Sequence, residues 1–169
     1  MIDAHSGRVT CLSLSSSTIL SGSEDGLVRI WDMEGRCIRT LVDDTNMGMV
    51  SGLSLIGDTC VVFTMDNLAR LWKTDGRVGK ILKGHANEKY WLDVCMIRRM
   101  VNGLGKSMVI CGSEDGRVVG WDLESGMIHI DQECADGAVL SVDCIVGDDG
   151  FLVATGGLDG VLRIWTMKH

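Results

Sequence analysis

A histidine, a serine and an aspartate stand close together near the start of the chain, at His5, Ser21 and Asp25. Side chains of these types can activate a hydroxyl for acyl transfer when base, nucleophile and orienting acid line up. Trp31 follows Asp25 by six residues, and the same step recurs at Asp66 to Trp72, Asp115 to Trp121 and Asp159 to Trp165. Repetition, with tryptophan as a standing member, marks a structural set rather than a triad. Glu24 and Glu114 lie in the same repeated turns. Turn acids at that spacing do not face each other across a cleft, as a glycosidase pair must. The seven cysteines (Cys11, Cys37, Cys60, Cys95, Cys111, Cys134, Cys144) are spread singly with no C-x-x-C pair. They read as small buried hydrophobes rather than metal or redox ligands. No P-loop, nucleophile elbow or zincin motif is present. Neither a metal, a cofactor nor catalysis is expected.

The elements that would place these residues are short strands. Gly 22 with Pro 0 in 169 residues calls for many tight turns. The segments "SGSEDGLVRIWD", "FTMDNLARLWK", "CGSEDGRVVGWD" and "TGGLDGVLRIWT" align on a turn followed by tryptophan, and those tryptophans are 41, 49 and 44 residues apart. Asp25-Gly26 and Asp66-Asn67 supply the positive-φ position that a short hairpin needs. A strand precedes each hairpin ("RVTCLSL", "MVSGLSL", "YWLDVCM", "AVLSVDC"), and another follows the first three tryptophans ("CIRTL", "VGKIL", "MIHID"). Four strands recurring about every 40–45 residues make one propeller blade. The expected fold is all-β, a β-propeller of about four blades in one domain over 1–169. Its blades fall at roughly 5–42, 49–83, 85–132 and 137–169, the last lacking its outer strand.

The apolar fraction of 46% and charged fraction of 23% are those of a folded globular chain. A net charge of −7 argues against direct nucleic-acid binding, which needs a basic footprint, and suits a basic peptide partner. No apolar run is long enough to span a membrane, and "MIDAHSGRV" lacks a signal-peptide core. With an odd number of cysteines, this points to a reducing, intracellular compartment. Arg98, Arg99 and Lys106 are expected in a solvated loop between strands. Tyr90-Trp91 is either a partner hot spot or strand packing.

The repeat resembles the WD family, in which a histidine, a strand Ser/Thr, the turn aspartate and the tryptophan stiffen each blade. The resemblance implies a network of His5, Ser21, Asp25 and Trp31 in the first repeat, and Asp66 and Trp72 in the second. The third would use His85, Asp115 and Trp121, with Cys111 at the Ser/Thr position, and the fourth Thr155, Asp159 and Trp165. Repeats two and four lack the histidine. WD rings usually close with seven blades, so the chain is expected to be a partial ring. Truncation of a longer protein is the favoured account, ahead of completion by another chain or by a second copy.

"CIRTLVDDTN" (Cys37 to Asn46) and "GHANEKY" (Gly84 to Tyr90) are similar, more particularly, to the WD-repeat subunit of COMPASS/MLL-type histone methyltransferase complexes. The likeness is to its C-terminal four blades. It implies a non-catalytic scaffold in a nuclear histone H3 lysine-4 methyltransferase complex, with other complex subunits and an arginine-containing peptide or histone tail as partners. The implied channel mouth is lined by Thr10, Glu24, Ser51, Tyr90, Trp91 and Asp93. Asp93 stands where that family has an aromatic clamp, which leaves charge pairing with an arginine in place of stacking. The alternative is a generic WD adaptor of ubiquitin-ligase, RNA-processing or trafficking assemblies, in the cytoplasm.

Overall fold

The computed structural model describes residues 1–42, 48–101, 104–147 and 150–168. They form two compact units, Met1–Lys83 and Gly84–His169. Unit 1 contains blade 1, made of β1 (Val9–Leu14), β2 (Ile19–Ser23), β3 (Val28–Trp31) and β4 (Cys37–Leu41). Its blade 2 comprises β5 (Val50–Ile56), β6 (Thr59–Thr64), β7 (Leu68–Lys73) and β8 (Val78–Leu82). Unit 2 contains blade 3, built from β9 (Val94–Val101), β10 (Leu104–Gly112), β11 (Arg117–Asp122) and β12 (Ile128–Glu133). Its blade 4 has only β13 (Val139–Gly147), β14 (Gly150–Gly157) and β15 (Leu162–Lys168). Within each blade every strand pairs antiparallel with the next in sequence, so each sheet is a plain meander. Among the described residues no helix is long and apolar enough to cross a membrane.

The central hairpins close because one residue in each can take a left-handed conformation. In blade 1 the Gly26 amide donates to the Ser23 carbonyl at 3.1 Å, with φ +77° at Gly26. In blade 2 the left-handed residue is Asn67, at φ +63°, a conformation asparagine tolerates better than other non-glycine residues. The turn fixes the register, and the register is shared: Ile19, Cys60, Val109 and Val153 stand opposite Trp31, Trp72, Trp121 and Trp165.

Within each unit, apolar side chains from two sheets interlock. In unit 1, Leu20, Val28, Ile30 and Leu41 of blade 1 pack with Val50, Leu53, Cys60, Val62 and Trp72 of blade 2. In unit 2, Ile97, Ile110, Val118 and Ile130 of blade 3 pack with Val139, Val142 and Val153 of blade 4. Burying each such aliphatic side chain contributes about 1.5–3 kcal/mol. Gly112 lets the sheets of unit 2 approach, since a Cβ there would overlap the Val139 carbonyl.

Three sequence expectations are corrected. Cys95 and Cys144 are disulfide-bonded, tying β9 to β13, rather than being separate thiols. They lie on different sheets, so their proximity was invisible from residues 49 apart. Cys37 is exposed. The buried-hydrophobe reading suits Cys11 and Cys60, where burial pushes the thiols up to about 11 and about 12. Arg98, Arg99 and Lys106 are not in a loop: they belong to β9 and β10, with Lys106 opposite Arg99. Finally, Tyr90 to Asp93 precede β9 rather than opening it.

Candidate interaction surface

Blade 1 carries the full hydrogen-bonded chain. The Trp31 indole N–H donates to Ser21 Oγ at 2.8 Å, Ser21 Oγ lies 2.7 Å from His5 Nε2, and His5 Nδ1 lies 3.1 Å from the Asp25 carboxylate. One proton arrangement satisfies all of it: indole to serine, serine hydroxyl to a neutral imidazole, imidazole to aspartate. Asp25 also accepts from the Leu27 and Ser6 amides at 3.0 Å. Burial works against its charge, but these donors and His5 outweigh it and hold the carboxyl below the usual range. Ser21 is 3% exposed, so no substrate can reach its hydroxyl. The triad-like set is a strut.

The other blades solve the same turn differently. In blade 2, Val62 occupies the register position of Ser21. The buried Trp72 indole nitrogen therefore has no hydrogen-bond partner among the described residues. The turn acid Asp66 is held instead by Arg70, which is 2% exposed. Its Nη2 donates to Asp66 at 2.8 Å and its Nη1 to Thr64 Oγ1 at 2.7 Å. Blade 4 repeats this with Arg163 on Asp159 at 2.6 Å, and its Trp165 indole donates to Thr155 Oγ1 at 3.2 Å. In blade 3, Arg117 grips Asp115 at 2.8 Å and Asp131 at 2.6 Å. There His85 meets the Trp121 ring edge-on, at 5.6 Å between centroids. These arginines were missed from sequence, although Asp66-to-Arg70 and Asp159-to-Arg163 share a four-residue step.

The expected peptide-contact residues divide into two kinds. Thr10 and Ser51 are structural: the Thr10 hydroxyl donates to the Val50 carbonyl at 2.7 Å, joining β1 to β5, and Ser51 is buried. Glu24 is engaged by the exposed Arg8, at 2.7 Å. Tyr90, Trp91 and Asp93 share one segment of unit 2 and reach the surface. Trp91 is 45% exposed.

One side chain from a different hairpin shapes that segment. Glu114 Oε1 accepts from three successive amides, those of Glu88, Lys89 and Tyr90, at 2.9, 2.7 and 2.8 Å. Asn87 Nδ2 donates to the Tyr90 carbonyl at 2.7 Å. Burial opposes the Glu114 charge, but the three amides outweigh it and hold its carboxyl below the usual range. Amides spent on a carboxylate cannot pair in a sheet, which is why this stretch is a loop. At the surface the Lys89 ammonium sits over the Tyr90 ring, 4.9 Å from its centroid. Beyond them the Asp93 amide donates to the Leu140 carbonyl at 2.8 Å, so blade 4 pins the other end. The loop thus presents a cation, two aromatic rings and an exposed carboxylate on a fixed base.

Residues 1–32 and 129–166 match the family model of the WD domain, G-beta repeat. The fold is a WD-type β-propeller, in part. WD repeat domain-containing protein 83 of Rattus norvegicus is 29% identical over 92% of this chain, which spans 48% of that protein's length. WD repeat-containing protein 18 of Homo sapiens is 52% identical over 22% of the chain and 9% of its own length. Mitochondrial division protein 1 of Emericella nidulans is 49% identical over 24% of the chain and 6% of its own length. Among solved structures, the computationally designed Ika4 protein superposes with a TM-score of 0.75 at 21% identity, covering 99% of this chain and 96% of that one. The designed Ika8 protein gives 0.74 at 21% identity, with 98% of this chain and 48% of that one covered. WD-repeat domains generally bind other proteins as scaffolds, and the fold is typically non-catalytic.

Proposed function

We propose that this chain is a non-catalytic interaction scaffold whose contact surface includes the loop from Lys89 to Asp93. The observation that carries the reading is the half-exposed Trp91 on a base held by Glu114. Aromatic side chains on preorganised backbone dominate protein-interface energetics. The finer reading makes the chain a nuclear subunit of a histone H3 lysine-4 methyltransferase complex. Its support is the likeness carried by Gly84 to Tyr90, the stretch that leads into this loop, and by Cys37 to Asn46. Of the second run, Asp43 to Asn46 lie outside the described residues. Asp93 would meet a basic side chain of the partner by charge-assisted hydrogen bonding.

The test is co-elution of the purified chain with a reconstituted SET-domain methyltransferase core. Trp91→Ala should weaken that association roughly tenfold or more, the scale of an interface hot spot. A partner set that depends on Trp91 but contains no chromatin protein would replace the finer reading with the generic adaptor. Partners indifferent to Trp91 would overturn the assignment of the surface itself.

A further inference from the structure

Blades 3 and 4 are joined by a covalent bond as well as by their packed core. Cys95, the second residue of β9, is disulfide-bonded to Cys144 on β13, with their Cα atoms 6.4 Å apart. The other five cysteines are free. Both bonded residues are half-buried, and the exposed Asp143 carboxylate lies 3.8 Å from Cys95 Sγ, so a small solute can reach the sulfurs.

The bond is not what folds unit 2. Cys95 stands in the β9–β10 ladder opposite Ile110, and Cys144 in the β13–β14 ladder opposite Val153. Each ladder keeps its backbone pairing whether or not the sulfurs are joined, and Ile97, Ile110, Val139 and Val142 bury the same apolar surface. A bond laid over a self-sufficient core can open without unfolding it, which is the condition for a local change. What the bond restrains is the entry to β9. Two residues before Cys95, the Asp93 amide donates to the Leu140 carbonyl at 2.8 Å, and Leu140 lies four residues before Cys144. The hydrogen bond and the disulfide therefore run between the same two segments. The other end of the Lys89–Asp93 loop is held by Glu114 within blade 3, independently of both.

We propose that Cys95–Cys144 is a reversible redox latch, through which a low-molecular-weight thiol sets the order of the Lys89–Asp93 loop. Its effect on partner binding rests on that loop being the contact surface. In the opening step the thiolate of the small thiol attacks one sulfur and forms a mixed disulfide with it. The other cysteine leaves as a thiolate and takes up a proton. A second small thiol then releases the first cysteine, giving two protein thiols and one small-molecule disulfide. The same exchange run backwards closes the latch. Closed, Asp93 is fixed to blade 4 beside Trp91. Open, its hydrogen bond to Leu140 frays, and part of the cost of ordering the loop returns to the binding step.

Glutathione buffers of graded thiol-to-disulfide ratio, applied to the purified chain, test this. Alkylation after quenching and denaturation should find five reactive cysteines at the oxidising end and seven at the reducing end, with the circular dichroism spectrum unchanged. On reduction, hydrogen exchange should quicken severalfold at the Asp93 amide and hold steady at Glu88, Lys89 and Tyr90. Cys144→Ser should show the fast Asp93 exchange in every buffer. Binding to the SET-domain methyltransferase core should weaken about fivefold on reduction, the low end of couplings between two sites. An Asp93 amide indifferent to reduction would overturn the latch, as would seven reactive cysteines in every buffer or a chain that unfolds when reduced. Binding that needs Trp91 but ignores the redox state would overturn its effect on recognition. A core that fails to bind, with the Asp93 response intact, would overturn the contact surface and leave the latch standing.

Discussion

Blades 1 and 2 are neighbours in one unit with the same strand order and the same tryptophan register, yet they secure their central turns by different chemistry. Blade 1 uses a neutral relay through His5 and Ser21 that ends on the Trp31 indole. Blade 2 uses a buried guanidinium, Arg70, which reaches Asp66 and Thr64 directly, while Val62 leaves the Trp72 indole without a partner among the described residues. The geometry of the turn is the invariant, and what holds its aspartate is interchangeable. The relay spans three side chains and satisfies each of them. The guanidinium holds the turn with one residue and does nothing for the indole.

Breaking the guanidinium should have the largest effect. Arg70→Ala leaves the Asp66 carboxylate partly buried without its cation, and should cost about 3 kcal/mol, the lower end for a broken buried pair. Urea unfolding would read it, and a loss under about 0.5 kcal/mol would mean that the pair behaves as a surface contact. Ser21→Ala comes next. It removes the acceptor of a buried indole and the donor to His5, for about 1–3 kcal/mol by the same measurement. The comparison sharpens in the opposite direction with Val62→Thr. A hydroxyl at the position of Ser21 should give Trp72 the acceptor that Thr155 gives Trp165, raising stability by about 1 kcal/mol. A fall in stability would show that the hydroxyl cannot turn toward the indole.

The smallest effect concerns pH. The Asp25 and Asp66 carboxyls are held below their usual range. Each therefore contributes stability that is present above the ordinary carboxylate range and is lost as pH falls through its depressed folded value. In Arg70→Ala the Asp66 carboxyl moves back toward its ordinary value, so the acid-side decline in urea midpoint should be shallower than in the wild type. Parallel declines would place the depression of Asp66 on its backbone donor from Leu68 instead.

Much of the fold was legible because its signals are local. An aspartate, a positive-φ residue and a tryptophan lie within one hairpin, and the hairpin's register follows from its turn. What escaped the sequence was non-local. "YWLDVCM" has the alternation of a strand, but Glu114, on a hairpin 24 residues beyond Tyr90, claims the Tyr90 amide and the Leu140 carbonyl claims that of Asp93, so the strand opens only at Val94. Cys95 and Cys144 become neighbours only when β9 and β13 pack. Arg98 and Lys106 look like loop residues by charge, while their strand partners are set by backbone pairing. Among the expected contact residues, Thr10 and Ser51 are polar by type, but Thr10 is spent on the Val50 carbonyl of β5 and Ser51 is buried. Trp91 is apolar by type and left outside.

Glu114 gives that last contrast a thermodynamic reading. A loop free to wander must surrender backbone freedom, about 1–2 kcal/mol per residue fixed, at the moment a partner is captured. Here three successive residues have already surrendered it to one carboxylate during folding. On the proposed surface, recognition at Trp91 would then proceed close to rigid-body docking, with selectivity set by shape and charge rather than by the loop's capacity to adapt.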